Sequence, residues 1–553
     1  MLLSKWRFAM CWLMLAIFAA MAPLTLAADP AIVVSVKSVE ELLDDVTYIG
    51  EVIDKPDIGE TFNALIGQMT QGKGLIGVDQ TRPVGGFLVI TEQGQPMPPV
   101  VFIPVKSEKQ FTELLGMFFP EISKTKSGLV TLKGPLLSFP VVGKFQDGYF
   151  FASQTAPALI DLPAPADFVN AKADIAVELL LSKIPEPLKQ AFLQQVAVTA
   201  ENAVDRPSEP AEALGYDLGR KLALDSMIST VTDGDRLTLA LNIDAEEGKF
   251  ALDLGVSAVV GTNMAKSLAV YGQEGSKFAE LLPADSLMTL TFATPLSQDI
   301  GDALGKLMEV AGEQAQAEIE NDANLKTAAE KKVAKDIATE LLSVMSATFK
   351  AGRIDFAVAV GGESEEDMTV LAFAKIVAGN KVNGIVDRLA AELKKESPKS
   401  EGLKFNVATI GTAKIHEATP SEEKEATNPI KGPVYLGIGD DFLLISGGGE
   451  SLETAKASAA KLVAGKAVGI RPKSRTAKSR APISLRMKLS KALALSKNLD
   501  ADTIAEAQET YKDGGDEIAI EITAGKNSIQ LHLEIEDGVL ELGSSLASGA
   551  AGR

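Results

Sequence analysis

The chain has 553 residues, with 54 Lys and Arg against 74 Asp and Glu, a formal net charge of −20 at pH 7. Its 46% hydrophobic and 23% charged content excludes wholesale disorder, and at roughly 150 residues per domain the length allows three to four domains. So acidic a chain is repelled by phosphate backbones, which excludes nucleic acid as a partner.

The first element is an export signal. Lys5 and Arg7 precede an almost wholly apolar stretch from Phe8 to Ala22, then Pro23 and the small-residue end Thr25-Leu26-Ala27-Ala28. A short basic region, an apolar segment for the translocon and small residues for the peptidase come in the order that processing requires. The cut is expected between Ala27 and Ala28; an uncleaved anchor is the alternative, since Phe8–Ala28 approaches spanning length. Cys11, Trp6 and Trp12 all fall before the cut, so the mature chain has no disulfide, thiol nucleophile or cysteine–metal site. It carries 52 basic against 74 acidic side chains, a net −22. No later segment has the length and apolarity of a membrane span. The expected residence is periplasmic or extracellular.

The rest of the chain reads as two matching halves. GFLVITE (Gly86–Glu92) and PVVFIPV (Pro99–Val105) precede a helical segment at Ser107–Phe119. In the second half IDFAVAV (Ile354–Val360) and TVLAFAKI (Thr369–Ile376) precede a helical segment at Asn380–Lys395. DGYFFAS (Asp147–Ser153) then matches DFLLISG (Asp441–Gly447), and ADIAVELLLSK (Ala173–Lys183) matches APISLRMKLSK (Ala481–Lys491). GDRLTLALNI (Gly234–Ile243) matches GDEIAIEITA (Gly515–Ala524), each with a further alternating strand after it, Lys249–Ala258 and Ser528–Asp537. Alternation at period two predicts sheets with the apolar face packed and the polar face wet. Helical segments such as Pro187–Ala203 and Ser451–Ala464 are expected to cover the packed face.

The expected fold is therefore α+β: two tandem related units, 28–283 and 284–553, each a mainly antiparallel sheet covered by helices, after a signal peptide at 1–27. The seam lies at Leu282-Pro283-Ala284-Asp285. A long helical segment at 298–350 opens the second unit, read as a hairpin interrupted at Asn321–Asn324, with Leu304, Leu307, Val310, Val333, Ile337, Leu341 and Val344 on one face.

The blocks SVKSVEELLDDVTYIGEVIDKP (Ser35–Pro56), QGKGLIGVDQTRPVG (Gln71–Gly85) and PVVFIPV resemble exported proteins of planctomycete-type bacteria, over most of the mature chain. The resemblance implies secretion and an α+β repeat. It implies no activity and no functional residue.

Catalytic patterns are sparse. Gly67–Gly74 comes within one residue of the phosphate-cradling loop, but Gly74 stands where a hydroxyl is needed and a helix precedes it, so it reads as a helix-terminal turn. Gly447-Gly448-Gly449 reads as a strand-to-helix turn, with anion binding by exposed N–H groups as the alternative. His416 and His532 are too few for a zinc site, and both are expected at the surface. The Ser-x-x-Lys matches at Ser123, Ser421 and Ser458 lack their companion motif. Asp54, Asp57 and Glu60, or Asp233 and Asp235, are the carboxylate sets that acid–base chemistry or calcium would need; they read as solvated turn residues.

Charge distribution says more. Between Glu453 and Asp500 there is no acidic residue and there are twelve basic ones, among them Arg471, Lys473, Arg475, Lys478 and Arg480. That stretch is either an anion- or partner-docking surface or the complement of the acidic tail at Asp500–Glu541. The functional expectation is an exported, non-catalytic binding or scaffold protein of the cell envelope, with no cofactor and no metal. The first alternative is a carrier of a lipid or other apolar ligand in a groove between sheet and helices. A weaker one is a carboxylate-dependent hydrolase.

Overall fold

The computed structural model describes residues 29–134, 139–201, 206–272, 275–323, 325, 327–362, 364, 367–393, 402–420, 430–465, 481–495, 501–511 and 514–551. These form a mixed helix-and-strand fold in which the registered strand pairs are antiparallel. Two compact units are present, and neither is one continuous stretch of chain. The first takes residues through Thr199, Ile228–Met264 and those from Glu536 on; the second takes Ala200–Met227 and Ala265–Ile535.

In chain order the first half runs β1 (Pro30–Val36), α1 (Val39–Val52), α2 (Asp57–Met69), β2 (Val84–Val89), β3 (Val100–Pro104), α3 (Glu108–Phe118), β4 (Glu121–Lys124), β5 (Val130–Lys133), β6 (Val141–Gln146), β7 (Tyr149–Ser153) and β8 (Ile175–Leu179). It continues with α4 (Glu186–Glu201), α5 (Pro210–Asp233), β9 (Gly234–Asp244), β10 (Lys249–Ala258) and α6 (Asn263–Tyr271). The second half runs β11 (Met288–Pro295), α7 (Gln298–Asn321), α8 (Ala328–Lys350), β12 (Arg353–Gly361), β13 (Thr369–Lys375), α9 (Gly379–Leu393), β14 (Leu403–Ile410), β15 (Ala413–Ala418), β16 (Val434–Ile438) and β17 (Phe442–Gly447). It ends with α10 (Ser451–Val463), β18 (Ile483–Lys488), α11 (Leu489–Ala494), α12 (Ala501–Thr510), β19 (Glu517–Ala524), β20 (Ser528–Glu536) and α13 (Asp537–Ala551).

The strand order of the first unit is β4-β5-β6-β7-β3-β2-β1-β8-β9-β10. That of the second is β14-β15-β16-β17-β13-β12-β11-β18-β19-β20. Adding ten to each strand number converts the first order into the second. Each pair of matched sequence blocks occupies the same place in the strand order of its own unit.

A helical hairpin leaves the first strand of each unit. In the first unit the Ser38 hydroxyl accepts from the Glu41 N–H to start α1, and Glu40 and Glu41 complement the helix dipole. The crossing of α1 with α2 is close: a Cβ on Gly59 would meet Thr47 Oγ1 at 2.4 Å. In the second unit Ser297 caps α7 and a Thr327–Glu330 capping box starts α8. The expected helical segment 298–350 is thus α7 and α8, but it is not peculiar to the second half. The first unit has the same device built from 14 and 13 residues instead of 24 and 23.

Around β3 and β7 in the first unit, and around β13, β16 and β17 in the second, side chains pack on both faces of the strands. In the first unit Val33, Phe87, Phe102, Tyr149 and Phe151 pack under the segment containing Leu159, Leu162 and Phe168. The other face, around Val130, Leu132 and Phe150, is closed by Phe111, Leu114 and Leu115 of α3. In the second unit Phe373, Ile415, Tyr435 and Leu444 pack under Ala455 and Ala459 of α10, and Ile438 packs on the other face with Val344 of α8 and Val382 of α9. No described helix is long and apolar enough to cross a membrane.

Candidate functional site

Strands β1, β8, β9 and β10 of the first unit carry an apolar grid. Register places Ile32, Leu179, Leu237 and Val256 in one row, Val34, Val177, Leu239 and Leu254 in the next, and Val36, Ile175, Leu241 and Leu252 in the third. Alternation predicts this face to be the packed one. The structure reverses that: Ala176, Glu178 and Ala240 on the small and polar side are buried, whereas Val177, Leu239 and Leu254 are 39%, 42% and 46% exposed. The reason is packing. Val33 on the small side joins the main core, while on the large side Tyr48 of α1 packs on Phe250 at one end of the grid and the middle row stays exposed. A contiguous apolar row left open in mid-sheet is the usual mark of an interaction surface.

That covered end is defined by Tyr48 of α1, whose ring stacks on Phe250 of β10 at 5.6 Å between centroids. Phe250 shares its face with Leu252 and Leu254 by strand alternation. The Tyr48 hydroxyl donates to Asp537 Oδ2 at 3.1 Å, and Asp537 is fixed by accepting from the Gly538 N–H and by its own N–H to Gly248 O. Burial, then the charge of and hydrogen bond to Asp537, then Asp244 and Glu51, push the Tyr48 phenol up to about 12. One turn back along α1, burial first and then Asp174 and Glu41 raise the Asp45 carboxyl to about 6; Lys37, which pairs with Glu41 and lies 3.7 Å from Asp174, opposes the shift. The grid therefore ends in an aromatic pair set in a negative field.

A second arrangement occurs in both units. Lys183 pairs with Asp29 at 2.5 Å, and the adjacent Ser182 hydroxyl donates to Asp235 at 2.8 Å. Lys491 pairs with Asp285 at 2.9 Å, and the Ser490 hydroxyl donates to Asp516. Hydrogen bonds from Lys491 and Lys488 hold the Asp285 carboxyl below its usual range. In each unit the device fastens the entry of the first strand to the end of the eighth and the start of the ninth. Its serine is engaged with a carboxylate and its lysine with another, which is the chemistry of a staple and leaves no nucleophile–base pair. Beside Asp29 lies an open depression of about 370 Å³ lined by Ile90, Glu92, Ser182–Pro187 and Asp29 itself.

Four residues before each of these serines stands an ion pair of opposite polarity. Glu178, 2% exposed, accepts from Arg236 at 2.8 Å. Arg486 in β18 donates to Glu517 at 2.5 Å and to Glu521 at 2.6 Å.

The residues singled out from the sequence are dispersed. Ala27, Ala28, Arg471, Lys473, Arg475, Lys478 and Arg480 lie outside the described residues. Gly67–Gly74 is the C-terminal turn of α2, with Gly72 and Gly74 at positive φ. Gly448 has φ +79° and a Cβ there would lie 1.9 Å from Met368 O, so close backbone approach accounts for the middle glycine of the triplet. Asp233 accepts from the Met264 N–H and Asp235 from Ser182, while Asp57 and Glu60 sit in the first turn of α2. Among the described residues no three His, Cys, Asp or Glu are grouped to hold a metal ion.

His416 corrects a surface expectation: it is 5% exposed, with Nδ1 accepting from the Asn406 N–H at 3.3 Å. Its strand lies between β14 and β16 and Ile415 joins the core under α10, so alternation does not deliver a wet side here. Burial lowers its pKa. His532 does face away from Leu531 and Leu533, half-buried and opposite Glu521. Comparison with protein-family models, curated proteins and solved structures gave no match.

Proposed function

We propose that the protein is an exported, non-catalytic binding protein of the cell envelope that holds an apolar ligand against the open sheet face of its first unit. One observation carries this reading: the row Val177, Leu239 and Leu254 exposes large side chains in mid-sheet while the small and polar side is buried. Covering such side chains recovers about 25 cal/mol for each Å² withdrawn from water, without any preformed chemistry.

The second half of the reading is a tandem duplication. Identical strand order, a helical hairpin after each first strand, and the two Asp–Lys and Ser–Asp staples support it. Register aligns Asp29 with Asp285, three residues before Ile32 and Met288, which occupy the same row position. The second copy thus starts at Ala284-Asp285 where the first starts at Ala28-Asp29, leaving residues 1–27 outside the repeat, as a removed leader would be. N-terminal sequencing of exported protein should begin at Ala28; a chain retaining Lys5 and Arg7 would mean an anchor.

Native mass spectrometry of gently purified protein tests the binding itself. Excess mass that disappears on organic extraction, and is reduced in Leu239→Asp, supports it. A mass equal to the bare chain, together with no uptake of an added alkyl probe, overturns it.

A further inference from the structure

The open grid has two chemically different ends, and that difference specifies a ligand. Phe250, Leu252 and Leu254 lie on one face of β10, so the distance from the Tyr48–Phe250 pair to Leu254 is about 13 Å, the length of a roughly ten-carbon alkyl chain. At the Phe250 end the hydroxyl of Tyr48 meets Asp537, and the charges acting on it come from Asp537, Asp244 and Glu51. Asp244, cross-strand from Lys249, closes the β9–β10 turn by accepting from the Glu246 and Glu247 N–H groups, and Lys249 is itself paired with Glu247. At the far end the grid continues to the apolar pair Leu237 and Val256.

We propose that the face binds a single-chain amphiphile with a cationic, ammonium-type headgroup, its tail along Leu252, Leu254 and Leu239 and its head at Tyr48, Phe250, Asp537 and Asp244. This rests on the apolar-ligand reading above and names the ligand class. Charge complementarity decides the occupant. An ammonium head meets aromatic rings and carboxylates, both of which attract it. An anionic head would meet the carboxylates of Asp537, Asp244 and Glu51, whose charges, after burial, hold the Tyr48 phenol protonated. A neutral head would gain the tail burial alone.

The test is calorimetric titration of the purified protein with decyltrimethylammonium, decyl maltoside and decyl sulfate, each below its micelle concentration. The expected order of affinity is cation over neutral by about tenfold, with sulfate weakest, and the cation's advantage should shrink as salt is raised. Asp244→Asn with Glu51→Gln keeps the turn acceptor and the fold. It should lower the cation's affinity at least threefold and leave the maltoside unchanged. Equal affinities for the three heads, or no response to the double substitution, overturn the headgroup assignment while the apolar-face reading stands. Failure of all three probes to bind, or binding indifferent to Leu239→Asp, overturns the apolar-face reading and the assignment with it.

Discussion

The two units share a strand order and differ in how far the same face of the strands is exposed. In the second unit the rows equivalent to the open grid are Met288, Met487, Ile518 and Ile535, then Leu290, Leu485, Ile520 and Leu533, then Phe292, Ile483, Ile522 and Leu531. All twelve are half-buried, where the first unit leaves three at around 40% exposure. The hairpins differ in the same sense, α7 and α8 being about ten residues longer each than α1 and α2. Ten residues of helix span about 15 Å, the width of about three strands. Strand pairing and the apolar character of the rows are thus kept between the units, while hairpin length and the exposure of the face differ.

The sharpest way to break the comparison is at the reversed ion pairs. Glu178 with Arg236 and Arg486 with Glu517 occupy matching places with opposite charges. Arg236→Ala strands a buried carboxylate, which costs about 3 kcal/mol. For a unit of this size that is a melting-temperature loss of roughly 6–12 °C. Glu178→Arg with Arg236→Glu, which copies the second unit's polarity, should recover most of the loss in a thermal melt. If the double exchange is as unstable as the single variant, the two positions are not equivalent and the duplication reading weakens.

Next in size is the contrast between the rows. Ile520→Ser in the half-buried row should cost about 1 kcal/mol, part of what truncating a fully packed aliphatic costs. Leu239→Ser in the open row should cost less than about 0.5 kcal/mol, because an exposed side chain has little burial to lose. Denaturant unfolding with the slope held constant measures both. Similar costs would mean that something covers Leu239 in solution.

Much of this architecture was legible in the sequence and some of it was systematically hidden. The alternating blocks gave most of the strands and their order of matching, and the shared Leu-Ser-Lys ending marks the staple serines Ser182 and Ser490. The α1–α2 hairpin does not read from the sequence as the counterpart of 298–350, because a change in helix length destroys the spacing that matching relies on. The ion pairs were invisible for a related reason: Glu178 against Arg486 scores as a mismatch, yet reversing both partners preserves the interaction. The open face could not be read either. Alternation says which residues share a face, and only the neighbouring elements decide which face is wet.

The smallest expected effects concern pH, and they should run in opposite directions in the two units. Burial first, then the charges of Asp174, Glu41 and Asp44 against that of Lys37, raise the folded pKa of Asp45 on α1 from 3.8 to about 6. A raised carboxyl pKa means that the protonated form stabilises the fold; that contribution is full below 3.8 and is lost as pH rises through 6. The Asp45 side chain is partly exposed, so Asp45→Asn should gain only about 1 kcal/mol at pH 7.5 and less at pH 5. His416, near Asp387 and Lys414, has a folded pKa lowered by burial, so its contribution is full above 6.5 and is lost as pH falls below that value. Protonation would also set a donor at Nδ1 against the Asn406 N–H. Hydrogen exchange followed by mass spectrometry, corrected for intrinsic rates, should show peptides of α1 gaining protection between pH 7.5 and 5.5 while those of β14 and β15 lose it. Asp45→Asn should abolish the first change and His416→Leu the second, each without altering the other; a common response in both units would put the titrating groups elsewhere.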